Sequence, residues 1–577
     1  MNRKFSASCG DRGTQVNTST GENAPPGSGT NVRAAHIQPE VWFDDLREAL
    51  EWLSDSHRNT LISAVWAAVQ KKRAAFGGLS SALLSDAALR IVFVSVSDGK
   101  SPATVVLGAG NGIREALESA CKQLINHGTV VWLKLDLVNR VHDLRLDPTD
   151  REKTLYGMAG DKQSAAALLA EQPLRGELRE GVNRRFMFTA ISIFTDGRQT
   201  VPLYRGHRMF TSLSCDILLN AAEEAGRYLA EAVNPEGRFA YIYQPRRNRV
   251  PDGYNILRHA GSIYALLELY QITKTDYLLK AAERAIAYLQ GHIHHGATSS
   301  ERLACVVEGG YTKLGGNALA ILAFAKYMDV TGDMALLKPA QELACRMCET
   351  QLPSGNFSIH KQSVSSEDVM PFVSEYYPGE AIFALTRLYQ LDKQGTWLDA
   401  AEKGACYLIT GRDKGIITAE LIHDHWFLYA LNELYRLRPE PMYSAHAFNI
   451  VEAIIGKQNR QPRYPDWLGS YYEPPRSTPV AVRSEGLCAA YQLAQLCGRQ
   501  DLSEKILASV HYSVCFQLQT QIQPESALYV KNPSRCLGGF RRSLDSHELR
   551  IDYTQHNISA LLGLYKIMLK GDVPHLE

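Results

Sequence analysis

Tyr264-Ala265-Leu266-Leu267-Glu268-Leu269-Tyr270, followed by Tyr277-Leu278-Leu279-Lys280-Ala281-Ala282-Glu283, reads as a helix rich in Ala and Leu, a short turn and a second helix. The phrase returns as Ile382-Phe383-Ala384-Leu385-Thr386-Arg387-Leu388-Tyr389 with Trp397-Leu398-Asp399-Ala400-Ala401-Glu402. Further copies run through Ala320–Tyr327 with Ala335-Leu336-Leu337, Phe427–Tyr435, Leu487–Leu496 with Leu502–Ile506, and Ile558–Tyr565. The period is roughly 60 residues, a helical hairpin plus a loop. The first helix of each pair is apolar nearly all round, which makes it an inner helix. The second has one apolar and one charged face, which makes it an outer helix. An opening outer helix at about residues 211–232 completes six of each. The fold class expected is therefore mainly α, an (α/α)6 toroid of six helical hairpins. An open solenoid would need terminal elements with polar outer faces, and this chain lacks them.

Ahead of the repeat the composition changes three times. Residues 1–39 are rich in Ser, Gly, Asn, Thr and Pro without periodic apolar positions, as in a disordered tail. Residues 40–88 carry a helical pattern in Leu46, Leu50, Leu53, Leu61, Ile62, Val65 and Val69. Residues 89–204 hold three strand-like runs, at Leu89–Val96, Val130–Val138 and Phe186–Phe194, with a helix from Gly112 to Ile125 between the first two. This predicts a small α+β domain, with the toroid taking residues 205–577. Gly108-Ala109-Gly110-Asn111-Gly112 lacks the spacing of a phosphate loop and predicts a tight turn into that helix. With the later Gly157-Met158-Ala159-Gly160 it resembles small α+β domains of the AMMECR1 type, a likeness that implies no catalytic residue.

The bulk numbers exclude several classes. The 577 residues carry 62 basic and 61 acidic side chains, a formal net charge of +1, so no global field draws in nucleic acid or an anionic membrane. No apolar run reaches about 18 residues, so no membrane span is expected. Met1–Gly13 holds charges and no apolar stretch, and the eleven cysteines are odd in number and scattered. Both observations lead to the expectation of a cytoplasmic protein. Oligomeric state is not legible.

The chemistry concentrates where polar clusters run into inner helices: Asn255–His259, Leu314–Asn317, Tyr376–Glu380, His423–Trp426, Arg483–Glu485 and Asp552–His556. If these six starts converge, they line one cleft. Glu380, Asp424 and Glu485 are the candidate acids. At a helix N-terminus the dipole lowers a carboxyl pKa, which suits a base or nucleophile. Asp424 fits capping of the Trp426 helix equally well. His425, His556 and Tyr377 are candidate bases. Arg258, His259, Asn317, Trp426, Arg483, Asp552 and Gln555 are candidate substrate contacts. Arginine at a helix start is locally unfavourable and suits an acidic substrate. A salt bridge to Glu485 or Asp552 is the alternative, as is capping for Asp552 and Gln555. The aromatic loops, with Tyr254, Tyr311, Tyr376, Trp467 and Tyr472 among them, either stack on sugar faces or plug the ring. Gly237–Tyr243, Gly355–Ile359 and Gly415–Thr418 read as hairpin strands at the mouth. His423 and His425 do not share a helix face, and no metal or cofactor is expected.

Across residues 205–570 the helical pattern resembles the six-hairpin toroid superfamily of glycoside hydrolases, polysaccharide lyases, sugar epimerases and lanthionine cyclases. Arg550-Ile551-Asp552-Tyr553-Thr554-Gln555-His556 is similar to the last inner helix of uronyl C5-epimerases. The resemblance implies acid–base chemistry on an oligo- or polysaccharide carrying uronic groups, by a hydrolase, lyase or epimerase. The alternatives are a non-catalytic binding or scaffold protein and a lanthionine-cyclase-like zinc enzyme. The latter needs a Cys-Cys-His set, and the sequence puts no Cys-His pair beside Cys305, Cys488 or Cys536.

Overall fold

The computed structural model describes residues 55–73, 76, 91–144, 185–296 and 304–570. The tail expected at 1–39, most of the segment at 40–88 and the Gly157–Gly160 stretch lie outside the described residues.

Helix α1 (Asp55–Gln70) is followed by β1 (Ile91–Ser97), β2 (Thr104–Ala109), α2 (Ile113–Gln123), β3 (Trp132–Leu144), β4 (Arg185–Thr195) and β5 (Thr200–Leu203). The strands form one antiparallel sheet in the order β2-β1-β3-β4-β5. Alternation along the strands sorts its two faces. Val92, Val94, Val96, Leu133, Leu135 and Leu137 pack under α1 and α2 with Leu61, Val65 and Leu117. The opposite face buries Ser95, Lys134, Asp136 and Ser192 instead. Lys134 Nζ lies 2.9 Å from Asp136 Oδ1, and Ser192 Oγ donates to the same carboxylate. Tyr529, from the helical part of the chain, covers this cluster with its hydroxyl 3.0 Å from Ser95 Oγ. The Ala103 amide donates to the Leu528 carbonyl at 2.7 Å beside it.

Among the described residues, twelve long helices follow, with a short one at Pro524–Ala527 before the last. The outer ones are α3 (Cys215–Glu231), α5 (Asp276–Gln290), α7 (Leu337–Glu349), α9 (Gly395–Tyr407), α11 (Pro441–Gly456) and α13 (Gln500–Gln519). The inner ones are α4 (Ile256–Thr273), α6 (Leu314–Thr331), α8 (Tyr377–Asp392), α10 (His425–Leu437), α12 (Ser477–Leu496) and α14 (Ile551–Leu569). Each inner helix packs on the next, and α14 returns to α4, so the inner ring is closed. The first outer helix, α3, packs on the last inner one, α14. The Gln521 side chain also donates to the Ala221 carbonyl at 2.8 Å across that seam. The mainly helical (α/α)6 toroid, with a small sheet ahead of it, is the fold of this chain.

Two local expectations are corrected. Helix α12 starts at Ser477, so Arg483 and Glu485 lie in its second and third turns, not at its start. Pro479 does not interrupt it, because first-turn N–H groups have no helical partner to lose. Gly415–Thr418 is a turn running into a short 3-10 segment at Thr418–Glu420. Of the other two pieces, β6 covers Ile242–Tyr243, while Gln351 and Phe357 form a single bridge.

Glycines set how closely the inner helices approach. A Cβ at Gly315 of α6 would meet Glu380 Oε2 of α8 at 2.3 Å, and one at Gly379 of α8 would meet Asp424 Oδ2 at 2.6 Å. Each polar side chain sits in the notch that the preceding helix leaves. Gly261 of α4 does the same for Gln555 of α14, with 2.4 Å to its amide nitrogen.

Gly379→Ala therefore destabilises the chain by about 1–3 kcal/mol in urea unfolding, by overpacking. Gly395→Ala, whose added Cβ meets nothing within 4 Å, is neutral or stabilising by about 0.4–1 kcal/mol. Equal effects at the two positions would discount the notch.

Candidate active site

Three inner helices bring together His425, Glu485 and His556. Glu485 Oε1 lies 2.8 Å from His556 Nδ1. The His425 ring stands 5.5 Å from the His556 ring at an interplanar angle of 78°. Gly486 allows this approach, since a Cβ there would meet His425 Cα at 3.1 Å. Both ring nitrogens of His425 are buried without a hydrogen-bond partner. Burial pushes its pKa well below the usual histidine value, helped by His556 and then by the Arg483 charge, so the ring is neutral. Burial pushes the Glu485 carboxyl up to about 7, against the pull of His556 and of a hydrogen bond from Tyr429. Ligand atoms of His425, Glu485 and His556 lie within 4.8 Å of one another, close enough to hold a divalent ion.

Arg483 stands beside this group. Its Nε donates to His423 Nδ1 at 2.9 Å, one terminal nitrogen to the Pro479 carbonyl at 2.7 Å and the other to the Tyr472 hydroxyl at 2.7 Å. Its guanidinium lies over the rings of Tyr471 and Tyr472, at 4.7 and 5.2 Å. Burial, with the charges of Arg483 and Lys457, lowers His423 to about 4, so that acceptor is uncharged. The arginine is buried, and none of the ion pairs among the described residues includes it. Of the alternative salt bridges none forms to Arg483, whereas Arg258 does pair with Asp552. The Arg483 charge is therefore held by neutral acceptors alone among the described residues.

Glu380 and Asp424 are both buried, one in the Gly315 notch and the other in the Gly379 notch. Asp424 caps α10, accepting from the Phe427 amide at 3.1 Å. Burial, then the neighbouring Asp424, raises Glu380 to about 8. Burial raises Asp424 to about 7 despite Arg412 and the capping amides. The expectation that helix N-termini hold Glu380 and Glu485 down is corrected: desolvation outweighs the dipole, which falls off within one turn and is worth under about 1 kcal/mol at most exposed sites.

The other candidates lie elsewhere around the ring. Arg258 pairs with Asp552, its Nε 3.3 Å from Oδ2, and donates to the Tyr241 hydroxyl. Arg550 holds the same carboxylate at 2.6 and 3.0 Å. His259 faces outward, its Nε2 2.8 Å from the Ala285 carbonyl of α5 and its Nδ1 2.7 Å from the Tyr254 hydroxyl. Asn317 accepts from the Val306 amide at 2.8 Å and so fastens a hairpin. Trp426 is buried against Phe383 and Tyr429. Gln555 fills the Gly261 notch, and the Tyr377 ring packs near His360 and Phe372.

The sequence reading passed over Glu268, Tyr429 and Tyr264, which sit behind the site. Ser559 Oγ donates to Glu268 Oε2 at 2.6 Å, and the charge of Glu268 helps raise Glu485. An acid inside an inner helix that is apolar nearly all round was the available signal. Tyr472 was visible as an aromatic, though its bond to Arg483 depends on a fold back of the chain.

No family model matches this chain, and no curated protein matches it. Solved structures to which it is similar include cellobiose 2-epimerase from Bacillus thermoamylovorans, at 14% identity over 61% of this chain and 99% of that one, TM-score 0.47. A D-mannose isomerase aligns at 15% identity over 62% of this chain and 100% of its own, TM-score 0.45. The alpha-1,6-mannanase of Salegentibacter sp. aligns at 11% identity over 61% and 99%, TM-score 0.42.

Proposed function

We propose that this chain is an enzyme that moves a proton at a carbon of an acidic carbohydrate, an epimerase or lyase working in the mouth of the ring. The observation that carries the reading is the pair of facing histidines, one held by Glu485 and the other neutral with both nitrogens buried and without a hydrogen-bond partner. With Glu485 ionised, the Nδ1–H of His556 donates to it and Nε2 keeps a lone pair. That nitrogen is the base. Neutral His425 has one N–H and one lone pair, so it supplies a proton from another direction. Removal by one ring and return by the other inverts the carbon. Removal with loss of a leaving group gives the lyase outcome. Arg483 neutralises the substrate carboxylate and the further charge that builds on it as the adjacent C–H loses its proton, which makes that C–H more acidic.

Hydrolysis is the weaker reading. Glu380 and Asp424 each keep one oxygen without a partner, but both sit in helix notches. Two carboxyls flanking a glycosidic bond need an open space between them. A divalent ion on His425, Glu485 and His556 is the second reading with a specific observation behind it, their 4.8 Å grouping.

Soluble uronides incubated with the protein in deuterium oxide either incorporate deuterium at the carbon next to the carboxylate, seen by NMR, or give an unsaturated product with ultraviolet absorbance. Reducing ends with neither deuterium nor ultraviolet absorbance would establish hydrolysis instead. His556→Gln and His425→Gln each lower kcat by about 10²–10⁴-fold. Arg483→Gln raises KM for a uronide about tenfold or more and leaves a neutral sugar unaffected. If chelation abolishes exchange and zinc restores it, the metal reading replaces the metal-free one.

Glu380 gives a separate test of the notch carboxyls. Its folded pKa of about 8 lies above the usual 4.5, so the folded state favours the protonated form. That stability is fully present below pH about 4.5 and is lost as pH rises to about 8. Glu380→Gln, which keeps the neutral shape, therefore gains on the wild type steadily between pH 5 and 8 in thermal unfolding. Parallel stability curves over that range would show an ionised Glu380.

A further inference from the structure

Among the described residues, fifteen large apolar side chains stand exposed, and seven of them sit in three loops. Val369, Phe372, Val373 and Tyr376 precede α8, Ile416 and Ile417 precede α10, and Tyr472 precedes α12. Val373 is 81% exposed and Ile417 62%. Because α8, α10 and α12 are consecutive in the inner ring, these loops lie side by side at one end of it. Arg412 joins the first two, donating to the Glu375 carbonyl at 3.4 Å. Single exposed apolar residues are ordinary, whereas a contiguous patch marks a binding surface.

The patch continues into the site. The Tyr376 ring stands 6.2 Å from the His425 ring, and the Tyr472 hydroxyl holds Arg483. Tyr376 and Tyr472 thus link the exposed loops to the buried His425 and Arg483. Glu367, Asp368, Glu375, Asp413 and Glu420 flank the first two tips against Arg412 and Lys414, a balance that does not suit an anionic bilayer.

We infer that the crescent formed by Val369–Tyr376, Ile416–Ile417 and Tyr472 holds the alkyl chain of an amphipathic substrate whose anionic sugar end lies at Arg483 and His425. The inference rests on the proton-transfer reading for where the sugar sits. It goes beyond that reading in assigning the substrate an apolar tail.

The test is calorimetric titration of the full chain with octyl β-D-glucuronide below its micelle concentration, with methyl β-D-glucuronide and octyl β-D-glucoside alongside. Each methylene removed from water is worth about fourfold in affinity, so the octyl glucuronide binds at least about thirtyfold tighter than the methyl one. The double variant Val373→Ser/Ile417→Ser, at exposed positions, reduces that advantage to about threefold or less and leaves the methyl glucuronide unchanged. Equal binding of octyl and methyl forms overturns the inference, as does a chain-length effect that survives the double variant or no binding by any of the three. Dissociation of a dimer by the same variant, in sedimentation, also overturns it by giving the patch to a second copy. Loss of the preference for glucuronide over glucoside, with the chain-length effect intact, counts against Arg483 as the anion site and not against the crescent.

Discussion

Backbone-close packing of one inner helix on the next is the constraint from which the rest of this structure follows. A closed ring of six helices leaves little room at its centre, so the side chains there are either apolar or small. Several of the polar groups sit where the neighbouring helix offers a glycine. Gly315, Gly379 and Gly261 receive Glu380, Asp424 and Gln555, and Gly486 lets His425 come against α12. The same closeness that seals the apolar core delivers ionisable groups from different helices into contact.

That contact decides the electrostatics. A carboxyl or imidazole at the ring centre has lost most of its water, and desolvation favours the neutral form. Glu380, Asp424 and Glu485 are all pushed up, and His425 and His423 are pushed down. Arg483 keeps its charge without an ion pair among the described residues, because guanidinium is hard to deprotonate. Neutralised carboxyls and imidazoles thus surround a fixed cation, with a Glu–His pair beside it.

Much of the fold was legible because the repeat has a physical period. Helices apolar all round have to be inner and amphipathic ones outer, and six pairs close. The strands were legible from alternation at Val92–Val96 and Leu133–Leu137. The site was legible only in residue type. His425, Glu485 and His556 could be named, but their grouping depends on helix rotation, which a linear pattern does not fix. His259 and Asn317 stood at helix starts of the same appearance and turned outward. The dipole argument failed for Glu380 and Glu485 because it used position along a helix and ignored burial between helices. The start of α12 was misplaced because the polar cluster Arg483–Glu485 reads as a helix start when the helix already runs from Ser477.

The sheet face that meets the ring bears on how this chain can be divided. Lys134 and Asp136 are buried as an ion pair, and Tyr529 supplies part of their cover from the far end of the sequence. Lifting the sheet off the ring would hydrate two charges and strip a tyrosine of its partners at once. A chain cut near residue 205 would thus leave the ring with a raw polar scar where the sheet had been. The two parts are separate in sequence, but neither is a finished object without the other, and domain shuffling would have to carry both together.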